Sequence, residues 1–230
     1  MNTFSVVHLR DRPLVAGVVV VVDVIRAFTT AAAAFAAGAE RILCVETLSE
    51  AFALQRIHRD AVLMGEEQGD RPAGFDLGNS PIAVSTTDLG RGLVIQRTSN
   101  GTRGLAAARE AGSVLAAAAT NVGATARWIT THRPDSEVTI LCTGDTSEDE
   151  ACAKHLGKLL IDASPDPVDL SAAIRAAGHQ EHLAQWRDPA HEKHDGFAAD
   201  LEACSVVDRY NFAMVGRQGG ANVELRAVVV

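Results

Sequence analysis

Asp23, Arg26, Thr29 and Thr30 follow directly on a run of five valines, Val18–Val22. An acid, a guanidinium and two hydroxyls at the end of so apolar a segment are suited to an anion or a divalent cation. Three more loops carry groups of the same kind. Glu66, Asp76, Asn79 and Ser80 follow Ala61–Met64, Arg97 through Arg103 follow Leu93–Gln96, and Asp145 and Asp149 follow Val138–Cys142. Hard cations such as Mg²⁺ take carboxylate oxygens and keep several waters, so one to three acids from separate loops are the expected supply. Arginine and backbone N–H groups at a helix start would hold the oxyanions of a substrate. In Thr98-Ser99-Asn100-Gly101-Thr102, small residues let successive amides approach an anion, and the hydroxyls and Asn100 add donors. The Walker lysine is absent, so nucleoside triphosphate chemistry is not supported.

Each of these groups also has a plainer reading. Asp23 could cap the helix behind it, with Arg26 in an ion pair, and residues 98–102 could be an Asn-Gly turn. Asn79-Ser80-Pro81 could be a proline-terminated turn, and Asp149 and Glu150 the usual acids of a helix N-terminus. The pairs His179/His182 and His191/His194 have the i, i+3 spacing of transition-metal ligands, but Glu, Lys, Gln and Asp surround them. They read as a solvated helix face.

Such loops must be carried by alternating strands and helices. Five valines without polar alternation read as a strand buried on both faces, the habit of parallel sheets covered by helices. The alanine-rich run Ala31–Ala37, closed by Gly38, supplies the next helix, with Thr29 or Thr30 as its cap. Arg41–Val45 reads as a strand, and Thr47-Leu48-Ser49-Glu50 as a capping box opening a helix to about His58. Residues 65–92 form a long Gly/Pro/Asp/Ser-rich loop, a candidate for function. A short helix to Ala111, the apolar run Val114–Ala119 and a helix from the N-cap Asn121 toward His132 come next. A second capping box, Ser147-Glu148-Asp149-Glu150, opens a helix through about Ile161. The alternation predicts an α/β core over 1–163 whose loops leave one sheet edge, where open α/β sheets bind ligands. Residues 164–230 read as short helical pieces and a final strand from Val223 to Val230, a smaller C-terminal helical/strand subdomain packed on that core.

The chain has 230 residues, 47% of them hydrophobic, enough for a sizeable core. Its 21 Lys and Arg against 29 Asp and Glu leave a net charge of −8 without a basic cluster, which argues against nucleic-acid and anionic-membrane partners. The start lacks a basic region followed by a long apolar core, and the valine run is too short to span a bilayer, so a cytoplasmic location is expected. Self-association into a homo-oligomer stays open. Cys44, Cys142, Cys152 and Cys204 form no C-x-x-C pair and read as buried free thiols outside the polar loops, so a cysteine nucleophile is not expected.

Taken in order, Val22–Thr30, Gly65-Glu66, Gly74-Phe75-Asp76-Leu77-Gly78-Asn79-Ser80-Pro81, Thr98–Thr102 and Ser147-Glu148-Asp149 resemble the 2-phosphosulfolactate phosphatase (ComB-like) family. The resemblance runs from about Val18 to Leu160 and continues faintly through Asp200–Cys204 and Asp208. It implies a Mg²⁺-dependent phosphatase acting on a small anionic phosphorylated substrate, 2-phosphosulfolactate, toward coenzyme M. It also implies a three-layer α/β/α architecture with a mostly parallel sheet. Gly65-Glu66-Glu67 stands where members usually carry Gly-Glu-Arg, and Arg97 is the residue expected to restore that positive charge.

On that footing Asp23 holds Mg²⁺ with Glu66 or Asp149. Arg26, Thr29, Thr30, Asn79, Ser80 and the Thr98–Thr102 loop bind the substrate, and Asp76 aligns the water or protonates the leaving oxygen. An aspartyl-phosphate at Asp23 is the competing route, but Ile25 occupies the place where haloacid-dehalogenase phosphatases carry a second acid. Hydrolysis of another phosphorylated 2-hydroxy acid, or binding of an anionic metabolite without catalysis, are the alternatives.

Overall fold

Val18–Val22 forms strand β2 with every residue buried. Fully burying a valine side chain contributes about 1.5–3 kcal/mol, so this strand anchors the core. The computed structural model describes residues 2–11, 16–178, 194–218, 220 and 222–230. The other strands are β1 (Thr3–His8), β3 (Arg41–Val45), β4 (Val62–Gly65), β5 (Leu93–Arg97), β6 (Ser113–Ala117), β7 (Glu137–Cys142), β8 (Phe212–Gln218) and β9 (Val223–Val229). The helices are α1 (Ala27–Ala36), α2 (Leu48–Ile57), α3 (Pro81–Ser85), α4 (Gly101–Ala108), α5 (Val122–His132), α6 (Ser147–Leu160), α7 (Pro167–Ala177) and α8 (His194–Cys204).

All nine strands join one sheet in the order β1-β7-β2-β6-β8-β9-β3-β5-β4. Strands β1, β7, β2 and β6 form one parallel block, and β3, β5 and β4 a second. The antiparallel hairpin β8-β9 stands between them and pairs antiparallel with β6 on one side and β3 on the other. The C-terminal strands therefore lie inside the sheet, while α7 packs on α6 and α8 on α3. These reversals also turn the second block against the first, so the functional loops do not leave one continuous edge. They still meet: residues that follow β2, β4, β5 and β7 line one cleft. A Cβ on Gly101, just beyond β5, would lie 2.7 Å from the Cβ of Ala27, just beyond β2.

Three layers result. Val19 and Val21 face α1 and α4 together with Ile42, Met64 and Val94 of the second block. Val18, Val20 and Val22 face Ile129, Leu156 and Ile174 of α5, α6 and α7. Over the second block, Leu63 and Ile95 pack on Ala51 of α2 and on Phe75. Alanine fills α1 because helix approach is set by the side chains at the contact, and nearly all of this helix is buried.

Local departures from the sequence reading have identifiable causes. Helix α1 starts at Ala27, so Thr29 and Thr30 sit inside its first turn and cap nothing. Its first amide, Ala27 N–H, donates to Asp23 Oδ1 at 3.0 Å. The capping box of Thr47 and Glu50 forms as expected. The second box does not: α6 takes Thr146, one residue before Ser147, as N-cap without a side-chain bond, and Glu150 accepts from Lys154. Asn121 occupies its N-cap position but accepts from Ala118 N–H. The long loop contains α3, capped by Ser80, and strands β1 and β8 are additions to the expected elements.

Candidate active site

Asp23 leaves β2 into a cleft of about 420 Å³. It is 7% exposed, and both its oxygens accept hydrogen bonds: Oδ1 from Ala27 N–H, and Oδ2 from the Thr143 hydroxyl at 3.0 Å. Burial pushes this carboxyl up to about 6, against those two bonds, and the charges of Glu148 and Glu66 push the same way. Asp149, in the first turn of α6, accepts from Val24 N–H at 2.8 Å and from Gly144 N–H at 3.1 Å. It thus ties the loop after β2 to the loop after β7. Burial, then Asp23 and Glu148, raise its carboxyl as well. Neighbouring Glu148 is 2% exposed, its Oε2 has no hydrogen-bond partner, and burial raises it too.

The second block supplies Glu66. Its Oε2 accepts from Gly69 N–H at 2.7 Å and the Ser99 hydroxyl at 3.0 Å, and its Oε1 accepts from Ser99 N–H. Only glycine serves at Gly65 before it: φ is +144° and a Cβ would lie 1.8 Å from the Arg97 carbonyl oxygen. Thr98 and Thr102 bond each other's amides through their hydroxyls at 3.0 and 3.1 Å, which fixes the entry to α4. Gly101 faces Asp23 at that entry, where a Cβ would stand 3.1 Å from Asp23 Oδ2.

Arg26 is the cation of the cleft. It donates to Asp200 Oδ2 at 2.7 Å, and the α8 carboxylate is only 1% exposed. Asp200 Oδ1 in turn accepts from the Ser80 hydroxyl at 2.6 Å and Ile82 N–H at 3.3 Å. The Phe197 ring lies 5.9 Å from the Arg26 guanidinium carbon. Helices α3 and α8 are therefore joined through the residues that hold Arg26. Asn79 completes the wall, buried and with its side-chain oxygen unpartnered.

Four buried carboxylates around one guanidinium already bound to Asp200 leave a deficit of positive charge. The raised carboxyls of Asp23, Glu148 and Asp149 and the unpartnered Glu148 oxygen are its signature, and an oxygen-seeking divalent cation fits it. Among the described residues no three His, Cys, Asp or Glu side chains converge as a complete metal-holding group. One or two of these carboxylates, with waters and a substrate oxygen, match the shell Mg²⁺ takes.

The model of the 2-phosphosulpholactate phosphatase family matches residues 5–219, nearly the whole chain. The chain belongs to that family. Proteins named probable 2-phosphosulfolactate phosphatase are similar over comparable spans. The one from Thermus thermophilus is 36% identical over 223 residues, covering 91% of this chain and 93% of its own. That from Caldicellulosiruptor saccharolyticus is 35% identical over 208 residues, covering 82% and 84%, and that from Bacillus subtilis 31% over 215 residues, covering 92% of each.

In this phosphatase family member the cleft gathers Asp23, Arg26, Glu66, Asn79, Thr98, Ser99, Asn100, Asp145 and Asp149 of the residues singled out in the sequence. Asp76 does not join them. It is exposed, and its Oδ2 accepts from Leu63 N–H at 2.8 Å, pinning its loop to β4. Thr29 is spent on the Val24 carbonyl, Thr30 lies buried in α1, and Thr102 closes the loop with Thr98. Ser80 acts through Asp200. Arg97 bonds Glu67 at 3.5 Å and the Glu66 carbonyl at 2.7 Å, so the charge it was expected to restore is matched outside the cleft. His179, His182 and His191 lie outside the described residues, as does the side chain of His194.

Thr143, Glu148 and Asp200 were given no role by sequence. Thr143 carried a usable signal, a hydroxyl immediately after a buried strand. Asp200 opened the faint Asp200–Cys204 resemblance, but no local rule joined it to its partner Arg26, 174 positions away. All four cysteines are buried, and burial raises every thiol, that of Cys204 to about 12.

Proposed function

We propose that the chain is a Mg²⁺-dependent phosphatase that hydrolyses 2-phosphosulfolactate to sulfolactate and phosphate, a step of the coenzyme M type carried out in the cytoplasm. The observation that carries this reading is the cluster of buried carboxylates with raised proton affinity and an orphaned oxygen, in a member of a phosphatase family. Asp23, with Glu66 or Asp149, would hold the cation, which when bound supplies the charge that offsets phosphate oxygens. Arg26, steadied by Asp200, binds one phosphate oxygen, and the amides of Asn79 and Asn100 donate to others. Water attacks phosphorus in line with the ester oxygen and the ester P–O bond breaks; one proton of the water stays on the released phosphate, and the other replaces the proton given to the leaving oxygen. Glu148, which lines the cleft and whose proton affinity burial raises, is the group assigned to donate the proton the leaving oxygen needs, the role given to Asp76 from sequence.

The direct test is phosphate release from 2-phosphosulfolactate, 2-phospholactate, phosphoglycolate and phosphoenolpyruvate, with Mg²⁺ and with excess chelator. Release from the first, abolished by chelator, is expected. Folded protein with Mg²⁺ that releases phosphate from none of them would sink the reading.

A second test needs no turnover. The Asp23 carboxyl stands at about 6 in the fold against 3.8 unfolded, so the folded state binds this proton more tightly. The stability it contributes is full below about pH 4 and is lost as pH rises through about 6, on the order of 3 kcal/mol. Mg²⁺ offsets the ionised cluster, so it is expected to raise Tm at about pH 7.5 and far less at about pH 5. A Mg²⁺ shift that ignores pH would place the cation elsewhere.

A further inference from the structure

Beside the acidic cleft runs a second depression, a groove of about 540 Å³ lined by Arg10, Arg103 and Arg109. Asn100 and Thr143 line both spaces, so the groove adjoins the cleft, and Thr143 bonds Asp23 directly. Two of the arginines are matched: Arg10 bonds Asp145 at 2.6 Å, and Arg109 lies 3.5 Å from Glu110. Glu46 is the one carboxylate on the groove wall, and its backbone carbonyl accepts from Arg97. Arg103 is exposed and has no hydrogen bond or ion pair among the described residues. It stands in the first turn of α4, where the helix dipole disfavours a cation, so local structure gives no reason for it. Its neighbour Gly104 brings the helix against Thr143, where a Cβ would lie 2.6 Å from the threonine methyl. The helix thus delivers Arg103 beside the cleft.

We infer that this groove seats the second anionic group of the substrate, a carboxylate or sulfonate borne next to the phosphate ester, with Arg103 as the specificity-determining contact. The inference rests on the phosphatase reading for its substrate class. Its physical basis is separate: the cleft is crowded with carboxylates, and Arg103, without a carboxylate partner among the described residues, lines the depression that adjoins it. A phosphate monoester with a neutral tail gains nothing from the groove. One with a further anion gains a charge-assisted hydrogen bond.

The experiment compares kcat/KM for 2-phosphosulfolactate and phenyl phosphate in the wild-type protein, Arg103→Gln and Arg127→Gln. Arg127 is an exposed arginine on a different depression and controls for the change in net charge. Arg103→Gln is expected to lower the ratio of the two kcat/KM values about ten- to hundredfold, chiefly through KM for the dianionic-tailed substrate. Arg127→Gln should leave the ratio within about twofold. An equal loss on both substrates, or the same fall in Arg127→Gln, overturns the subsite. Calorimetric binding of the product, sulfolactate, separates this inference from the phosphatase reading. If no monoester is hydrolysed yet Arg103→Gln weakens sulfolactate at least about tenfold, the phosphatase reading falls and the anion subsite stands. Unchanged sulfolactate affinity removes the subsite.

Discussion

Asp23→Asn is expected to give a folded protein that releases phosphate at least about 10³-fold more slowly than wild type while melting at a higher temperature near neutral pH. The two effects have one cause. Asparagine keeps the acceptor that Ala27 N–H needs, and its amide can donate to a Thr143 hydroxyl that rotates to accept, so the loop after β2 keeps its shape. What is removed is a charge that burial, Glu148 and Glu66 all oppose. Relieving it stabilises the fold by up to about 3 kcal/mol, or several degrees in a chain of this size. The same charge is the one a cation and a transferring phosphoryl group require, and loss of one preorganised electrostatic contact of this kind already costs about 10²–10³ in rate. Thermal melts at about pH 7.5 and phosphate release measured on the same preparation check both halves. Asp23→Asn protein with more than about a tenth of wild-type turnover would remove Asp23 from the chemistry.

The frame of this site was legible wherever one local rule acted alone. Valines 18–22 carry no polar alternation, so a strand covered on both faces follows from them, and the structure buries all five. Thr47 and Glu50 bond each other, and Glu50 the Glu46 amide, all within one turn, and their box forms. The same rule misled at Ser147–Glu150, where the Asp149 side chain crosses to Val24 N–H, a residue 125 positions away. Thr29 and Thr30 misled for a related reason. Asp23 supplies the acceptor for Ala27 N–H, the helix begins earlier, and the hydroxyls are carried inside it. At α1 an acid of the cleft took the place of the expected cap. Local pattern fails first where function places a costly group.

Nothing in the sequence foretold the β8-β9 hairpin between two parallel blocks. Val223–Val230 reads as an ordinary final strand and Phe212–Gln218 was not read as a strand, and insertion is decided by edges on β6 and β3 that are far away in sequence. The consequence for the site is geometric. With one continuous parallel sheet, Glu66 and Ser99 would leave the same edge as Asp23, far along the sheet. In the observed order the hairpin reverses and coils the second block so that α4 starts directly against α1. The Gly74–Pro81 block was legible as a motif, but its roles were not. Asn79 lines the cleft, Asp76 anchors the loop and Ser80 holds Asp200.

That last contact makes Asp200 the position where stability and catalysis should fail together, and where they can be separated. Asp200→Ala leaves the Arg26 guanidinium, 13% exposed, without its carboxylate, and deprives the Ser80 hydroxyl and Ile82 N–H of an acceptor. Breaking a buried ion pair from one side costs about 3–5 kcal/mol, so Tm should fall by roughly 6–20 °C. Asp200→Asn keeps an acceptor for Ser80 and Ile82, so α8 stays docked on α3, yet it withdraws the charge that orients Arg26. Its Tm should recover most of the loss. Its KM for 2-phosphosulfolactate should remain about tenfold or more above wild type, with kcat less affected, because Arg26 binds a phosphate oxygen in ground and transition states alike. A merely structural aspartate would behave otherwise: with the fold restored in Asp200→Asn, KM would return to the wild-type value, and Asp200 would be a staple between helices and not a positioning residue for Arg26.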